Sequence, residues 1–144
     1  MHSVNFNEGM TMSASVIQFF YEAMKSQDPA ALAASLADDV VITEPSALPY
    51  GGTTTSRDEF FQKVPGWLNQ FSTWQFVEGE IFGDGERLAG LWSAVFTAHA
   101  SGETIRYQQF ERYEVRGHAI SKVDVYQSDT QGLIDFFKKN GPAW

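Results

Sequence analysis

The chain has 144 residues, with 10 Lys and Arg against 18 Asp and Glu, and so a formal net charge of −8. This length fits one ordinary domain, and the acidic balance argues against nucleic acid or an anionic membrane as a partner, because both require clustered basic residues. The absence of cysteine excludes disulfides, thiolate metal sites and cysteine nucleophiles, and no apolar run reaches the roughly 18 residues of a membrane span, so we expect a cytoplasmic location.

The N-terminal part of the sequence predicts an arm, two helices and a short strand. Residues 1–12 are polar and aperiodic and are expected to form a flexible arm before a single domain at 13–144. Apolar residues then recur at helical spacing from Ser13, the predicted N-cap, to about residue 27. Asp28 and Pro29 start a second helix that ends near residue 37. The β-branched run 40–43 is a strand that ends at Glu44 and Pro45.

The remainder predicts a third helix, a four-stranded meander and a last helix. After a loop at 46–56, a helix at 57–71 begins with Ser56 and Glu59 as a capping box, and Pro65 is expected to kink or split it. From residue 74 the hydrophobic period is two, which indicates strands at 74–82, 86–99, 103–115 and 119–127 joined by Gly-containing turns. Asp129 caps a final helix that ends near Asn140.

These elements predict an α+β fold in which a long antiparallel sheet curls into a cone around the N-terminal helices. A cone of this kind has an interior, and the 21 aromatic residues (12 Phe, 5 Tyr and 4 Trp) are enough both to line and to fill it. We therefore expect an apolar pocket. The three histidines are not at ligand spacing, and neither a metal site nor a cofactor is expected.

Several stretches resemble the nuclear-transport-factor-2-like superfamily, and in particular its SnoaL-like and ketosteroid-isomerase-like members. The resemblance covers roughly residues 13–138 and rests on four stretches: Phe20-Tyr21-Glu22-Ala23-Met24, Asp28-Pro29, the run from Leu36 to Pro45, and Gly51-Gly52 followed by Ser56 to Phe61. It implies the cone-shaped α+β roll and a homodimer. It says less about function, because the superfamily contains isomerases, cyclases, dehydratases, epoxide hydrolases and non-catalytic binding modules.

The ketosteroid isomerase pattern implies roles for three positions. Its general base lies in a carboxylate-Pro pair sixteen residues after the Asp that opens the second helix, and Glu44 has that spacing from Asp28. Its two oxyanion donors, a Tyr and a protonated Asp, fall on Phe20 and Gln109. Losing such a donor costs on the order of 2.7 to 4 kcal/mol of transition-state stabilisation, so steroid isomerisation by the familiar mechanism is not expected.

Alternation along the strands predicts the residues that line the pocket. Gln109 on the inner face implies that Tyr107 and Glu111 face inward with it, and the same register predicts inward-facing residues on the neighbouring strands. We expect Asp124 to be a second acid or base and Gln109 or Tyr126 to hold an oxyanion. The other expected lining residues are Phe20, Tyr50, Trp67, Trp92, Ala94, Phe96 and Lys122.

The sequence leaves two functions open. The first is a cofactor-independent isomerase, cyclase or hydratase in which Glu44 moves a proton on a small hydrophobic molecule. The second is a non-catalytic module that binds a hydrophobic ligand or acts as a regulatory dimer. A simple core or solvated ion pairs of Lys122 with Asp124 or Glu111 would explain the same residues without either function. The outer sheet face is predicted to carry Val95, Thr97, Phe110, Val123 and Val125 and to form the homodimer.

Overall fold

The computed structural model describes residues 11–144 and contains five helical segments and one six-stranded sheet. The helices are α1 (Met12–Ser26), α2 (Pro29–Ser35), α3 (Arg57–Lys63), α4 (Pro65–Leu68) and α5 (Thr130–Asn140). The strands are β1 (Leu36–Glu44), β2 (Gly52–Thr54), β3 (Ser72–Asp84), β4 (Arg87–Ala98), β5 (Thr104–Arg116) and β6 (Ala119–Gln127). Residues 1–10 of the predicted arm lie outside the described residues.

Local sequence signals account for most of the helix boundaries. The Ser56 hydroxyl accepts from the Glu59 amide at 3.1 Å, while the Glu59 carboxylate accepts from the Thr55 amide at 2.7 Å. Asp129 caps α5 through the Gly132 amide at 2.9 Å. The predicted third helix is split between α3 and α4 at Pro65, since proline lacks the amide that would continue the helix. The N-cap of α1 is Thr11, not the predicted Ser13.

The sheet has the strand order β2-β1-β6-β5-β4-β3, and it is antiparallel except where β1 pairs with β6 in parallel. The strand β2 lies inside the segment predicted to be a loop and pairs with β1, so that Glu44 stands opposite Gly52. One face of the sheet, the inner face, is covered by helices and carries a buried hydrophobic cluster. The predicted mixed α+β fold is confirmed, with one parallel pair in a sheet expected to be wholly antiparallel.

The register of β6 differs from the prediction by one residue. The hairpin starts with Arg116 opposite Ala119, but Ser121 forms a bulge, after which Glu111 pairs with Val125 rather than with Asp124. A shift of one residue moves every following side chain to the other face. Val123 and Val125, predicted on the outer face, are therefore buried inside at 3% and 6% exposure.

The same bulge places the predicted inner residues of β6 on the outer face. Asp124 pairs with Arg112, and Tyr126 pairs with Phe110 and is 57% exposed. The ammonium of Lys122 lies 4.0 Å from the Glu114 carboxylate, on the outer face, so neither ion pair considered from the sequence is present. The expectation that Asp124, Tyr126 and Lys122 line the pocket is wrong.

Close contact between α1 and the sheet depends on two glycines of the inner face. A Cβ on Gly90 would lie 1.8 Å from the Tyr21 hydroxyl, and one on Gly79 would lie 2.8 Å from the Tyr21 ring. Only residues without a side chain allow this tyrosine to lie flat against β3 and β4. The result is that the Tyr21 hydroxyl reaches the inner face of β5.

Candidate functional site

Glu44 is a buried carboxyl at the end of β1. Its strand alternates inward residues at Val40, Ile42 and Glu44, so a carboxyl continues a row of two apolar side chains. Glu44 is 7% exposed, and its Oε1 atom has no hydrogen-bond partner among the described residues. The pKa of Glu44 is raised to about 8: burial is the largest cause, the charge of Glu111 raises it as well, and the charge of Lys63 lowers it.

Glu111 is a second buried carboxyl, on the inner face of β5, and it is fully hydrogen-bonded. Its Oε1 atom accepts from the Trp92 indole at 3.0 Å and from the Tyr113 hydroxyl at 2.7 Å, while its Oε2 atom accepts from the Gln109 amide at 2.6 Å. Burial raises the pKa of Glu111 above its ordinary value, and the three hydrogen bonds that its carboxylate accepts partly offset that rise. We call Glu111, Trp92, Tyr113, Gln109 and Tyr21 the glutamate network.

Tyr21 and Gln109 form the two ends of the glutamate network. The Tyr21 and Tyr113 hydroxyls are 2.8 Å apart, and because Tyr113 gives its proton to Glu111, Tyr21 is the donor of this bond. On the other side, the Gln109 carbonyl accepts from the side-chain amide of Gln127. One N–H of the Gln109 amide is bonded to Glu111, and the second has no acceptor among the described residues, so the oxyanion role predicted for Gln109 stays a prediction.

The two carboxyls differ in which form the protein stabilises. Donated hydrogen bonds favour the ionised form of a carboxyl, and Glu111 has three whereas Oε1 of Glu44 has none. Glu111 therefore ionises first, and its negative charge helps to keep Glu44 protonated. Two buried carboxyls with separated pKa values are a common arrangement in acid–base catalysis.

Two tyrosines, Tyr50 and Tyr107, are buried in the interior together with Glu44. Burial raises the pKa of both hydroxyls, and the charge of Glu44 raises it as well. The Tyr107 hydroxyl accepts from the Trp74 indole at 2.6 Å, and no described residue accepts its proton. Tyr107 stacks on Phe96 with ring centroids 5.0 Å apart, and Tyr50 packs against Trp67 at 6.0 Å.

The structure thus brings together most of the residues predicted to line the pocket, since Tyr50, Trp92, Phe96, Tyr107 and Glu111 are all buried on the inner side. Phe20 and Trp67 are partly buried and pack against the same cluster. Asp124 and Tyr126 are excluded by the register of β6. Sequence reasoning missed the network partners Tyr21 and Tyr113, although the inward period of Tyr107, Gln109 and Glu111 extends directly to residue 113.

Lys63 is the basic residue that the sequence did not single out. It ends α3, is partly buried, and donates from Nζ to the carbonyl oxygen of Gly51 at 2.9 Å. Its charge lowers the pKa of Glu44 against the effects of burial and Glu111. The described residues contain no group of three or more His, Asp or Glu side chains that could hold a metal ion.

Within residues 11–144, no helix combines the length and apolar character needed to cross a membrane. The surface has two open hollows of about 340 Å³ each. One is lined by residues that include Tyr107, Ser128 and Asp129, and the other by residues that include Trp92 and Gly79. Glu44 lines neither of these two hollows.

Comparison with known proteins gives a family match and several similar folds. The profile of the SnoaL-like domain family matches residues 17–123. No curated protein matches the sequence. An NTF2-like protein from Burkholderia thailandensis E264 is 20% identical, with a TM-score of 0.76 over 88% of this chain and 98% of that one.

Two further solved structures are named by an activity or a ligand. A putative polyketide cyclase from Xanthomonas campestris pv. campestris is 21% identical, with a TM-score of 0.72 over 90% of this chain and 97% of that one. TerC, co-crystallised with polyporic acid, is 16% identical, with a TM-score of 0.70 over 89% and 97% of the two chains. At these identities the likeness establishes the fold.

Proposed function

The chain belongs to the SnoaL-like domain family, and on that basis we propose that it is a cofactor-independent enzyme in which Glu44 moves a proton on a small hydrophobic molecule. The reaction class is isomerisation, cyclisation or hydration. The observation that carries the proposal is the buried Glu44 carboxyl, whose Oε1 atom is unpaired and whose pKa is raised to about 8. A pKa near the working pH lets one group both give and take a proton.

The environment of Glu44 supports an internal proton transfer. In its protonated form Glu44 gives its proton to one atom of the substrate, and the resulting carboxylate then takes a proton from another atom of the same molecule. The cycle ends with Glu44 protonated again; isomerisation and intramolecular cyclisation need no other reactant, whereas hydration consumes one water molecule. Tyr107, whose hydroxyl proton no described residue accepts, is placed to donate a hydrogen bond to substrate oxygen. A protein of similar fold that is named a putative polyketide cyclase supports this reaction class.

Glu111 acts as a positioning residue in this proposal. The three hydrogen bonds that its carboxylate accepts stabilise a negative charge in the interior, and that charge is one of the causes of the raised Glu44 pKa. The aromatic rings around the pair exclude water, which strengthens the electrostatic interaction between them. Glu111 therefore sets the proton affinity of Glu44 without needing to touch the substrate.

The titration of Glu44 tests the proposal before any substrate is known. Carbon-13 NMR of the side-chain carboxyls should show a Glu group titrating near pH 8, and Glu44→Gln should remove that resonance while Asp124→Asn, on the outer face, leaves it in place. A value close to the ordinary 4.5 would contradict the proposal.

Activity provides the second half of the test. Exchange of α-protons for deuterium in bicyclic ketones such as 2-tetralone reports proton abstraction directly. The unmodified chain should accelerate exchange, and Glu44→Gln should lose on the order of 100-fold or more of that acceleration. Asp124→Asn serves as the matched control because it removes an outer-face carboxylate and should keep the full rate. Equal rates for both variants and the parent would refute the role of Glu44.

A non-catalytic dimeric regulatory module is the second candidate, and the packing of the interior favours it. Phe96 stacks on Tyr107 at 5.0 Å, and Trp92 lies 5.9 Å from Tyr107, so the expected lining residues contact one another. A ligand would then have to displace these rings. Absence of both 2-tetralone binding and proton exchange, together with an ordinary Glu44 pKa, would select this function.

A homodimer through the outer sheet face is part of the same proposal. Leu91, Phe110 and Tyr126 pair directly across β4, β5 and β6 and form an apolar row on that face. Phe110 is 41% exposed and Tyr126 57% exposed. An apolar row of this kind is typical of a surface that a second protein copy covers.

A further inference from the structure

Helix α5 covers aromatic rings that were expected to contact a ligand. Its side chains Phe136 and Phe137 are both buried. The Phe137 ring centroid lies 5.8 Å from that of Tyr50 and 5.6 Å from that of Phe96, and the Phe136 centroid lies 6.4 Å from that of Phe96. Tyr50 and Phe96 are buried in the same interior as Glu44. A ligand that approaches Glu44 past these two rings must first displace α5.

The C-terminal end of α5 is bonded to the turn between β4 and β5 by polar side chains. Lys139 donates from Nζ to Oε2 of Glu103 at 2.6 Å, and the Asn140 amide donates to Oε1 of Glu103 at 2.7 Å. The Ser101 hydroxyl donates to Oδ1 of Asn140 at 2.8 Å. We call Ser101, Glu103, Lys139 and Asn140 the latch. Its ion pair is exposed to solvent, so water can replace these contacts at small cost.

The N-terminal end of α5 has a short and anchored connection. Two residues, Ser128 and Asp129, separate Gln127 at the end of β6 from the start of α5. The amide and the hydroxyl of Ser128 both donate to the carbonyl oxygen of Gln108 at 3.2 Å, which holds this end against β5. Both linking residues are exposed, and hinges are commonly short segments at the end of an element. The helix is thus anchored to the sheet at one end and bonded by solvated contacts at the other.

A substrate needs a route to Glu44, which lines neither of the two hollows described above. Helix α5 is not part of the sheet, so its displacement breaks no strand pairing. We propose that α5 is a lid that turns about Ser128 and Asp129, and that release of the latch opens the route by which the substrate reaches Glu44. This inference rests on the proposed function, because a route is needed only if Glu44 acts on a substrate. The two buried phenylalanines keep the closed form dominant, and a bound ligand replaces their contacts.

The thiol of Ala94→Cys measures the opening without any substrate. The chain has no cysteine, and Ala94 is fully buried on the inner face of β4, so a thiol reagent reaches this position only when the interior opens. In this background Glu103→Ala, which removes the acceptor of two latch bonds, should raise the labelling rate about threefold to tenfold. Glu86→Ala, which removes an exposed carboxylate from the turn between β3 and β4, is the matched control and should leave the rate unchanged.

Urea unfolding of the same variants separates movement of the lid from global unfolding. The labelling rate of Glu103→Ala should rise by a larger factor than its equilibrium constant for global unfolding. Equal labelling rates for Glu103→Ala and Glu86→Ala would overturn the inference. A rise that only matches the loss of global stability would overturn it as well, because the latch would then support the fold without controlling access.

A disulfide across the latch closes the lid reversibly in the otherwise unmodified chain. The side chains of Ser101 and Asn140 are in contact, so Ser101→Cys combined with Asn140→Cys should form the bond with oxidised glutathione. The oxidised form should lose about tenfold or more of the deuterium exchange into 2-tetralone, and reduction with dithiothreitol should restore it. Full exchange in the oxidised form would refute the lid. If no form of the chain accelerates exchange while Glu103→Ala labels faster, the proposed function fails and the movement of α5 stands.

Discussion

Replacing Glu44 by Gln should change how the stability of the chain depends on pH. The pKa of Glu44 is about 8 in the folded chain against an ordinary value of 4.5, so the folded state binds the proton more tightly than the unfolded state. Stability from this group is therefore fully present below about pH 4.5 and is lost as the pH rises towards about 8. Glutamine has a similar shape and does not ionise.

The size of the effect follows from the same two values. A carboxyl whose pKa rises from 4.5 to about 8 on folding lowers the free energy of unfolding by about 5 kcal/mol when the pH is raised from below 4.5 to above 8. The free energy of unfolding of the unmodified chain should thus fall by several kcal/mol relative to Glu44→Gln across this range. The buried glutamine amide adds a constant offset, so the slope with pH is the quantity to compare.

Urea unfolding followed by tryptophan fluorescence, at one chain concentration and a series of pH values, measures that slope. The difference between Glu44→Gln and the parent should grow steadily with pH and level off above about pH 8. Asp124→Asn should run parallel to the parent, since its side chain lies on the outer face. Parallel curves for Glu44→Gln and the parent would refute the assignment of a proton to buried Glu44.

Two further predictions concern packing and assembly. Gly90→Ala should destabilise the fold by about 1 to 3 kcal/mol in urea unfolding, because its Cβ would lie 1.8 Å from the Tyr21 hydroxyl. Adding Tyr21→Phe, which removes that hydroxyl, should recover part of the loss. An unchanged unfolding midpoint for Gly90→Ala would contradict the close contact. Phe110→Lys should convert a dimer into a monomer in light scattering coupled to gel filtration, whereas a parent chain that is already monomeric would exclude the outer-face dimer.

The inner faces of β4 and β5 could be predicted from sequence because their register is uninterrupted. Pairing runs without a shift from Thr97 opposite Thr104 to Leu88 opposite Tyr113, so simple alternation places Trp92 and Glu111 correctly. Helix caps were also predictable where one side chain reaches a nearby amide, as with Ser56 and Asp129, since these interactions depend on neighbouring residues only.

Features that depend on distant residues could not be read from the sequence. The parallel pairing of β1 with β6 joins segments about 80 positions apart, and no residue pattern within either strand indicates which strand it pairs with. The neighbourhood of Lys63 depends on the β1–β2 ladder, whose second strand has only three residues within an apparent loop. In the sequence Lys63 is simply a polar residue at the end of a helix, and nothing near it indicates that it approaches Glu44.

The bulge at Ser121 has a consequence for the chemistry of the interior wall. The bulge absorbs one extra residue of β6, and because of it the interior receives Val123 and Val125. Regular pairing of the same residues would instead turn Asp124 and Tyr126 inward. Whether this hairpin forms a bulge thus decides whether that part of the interior wall is apolar or carries an acid and a phenol.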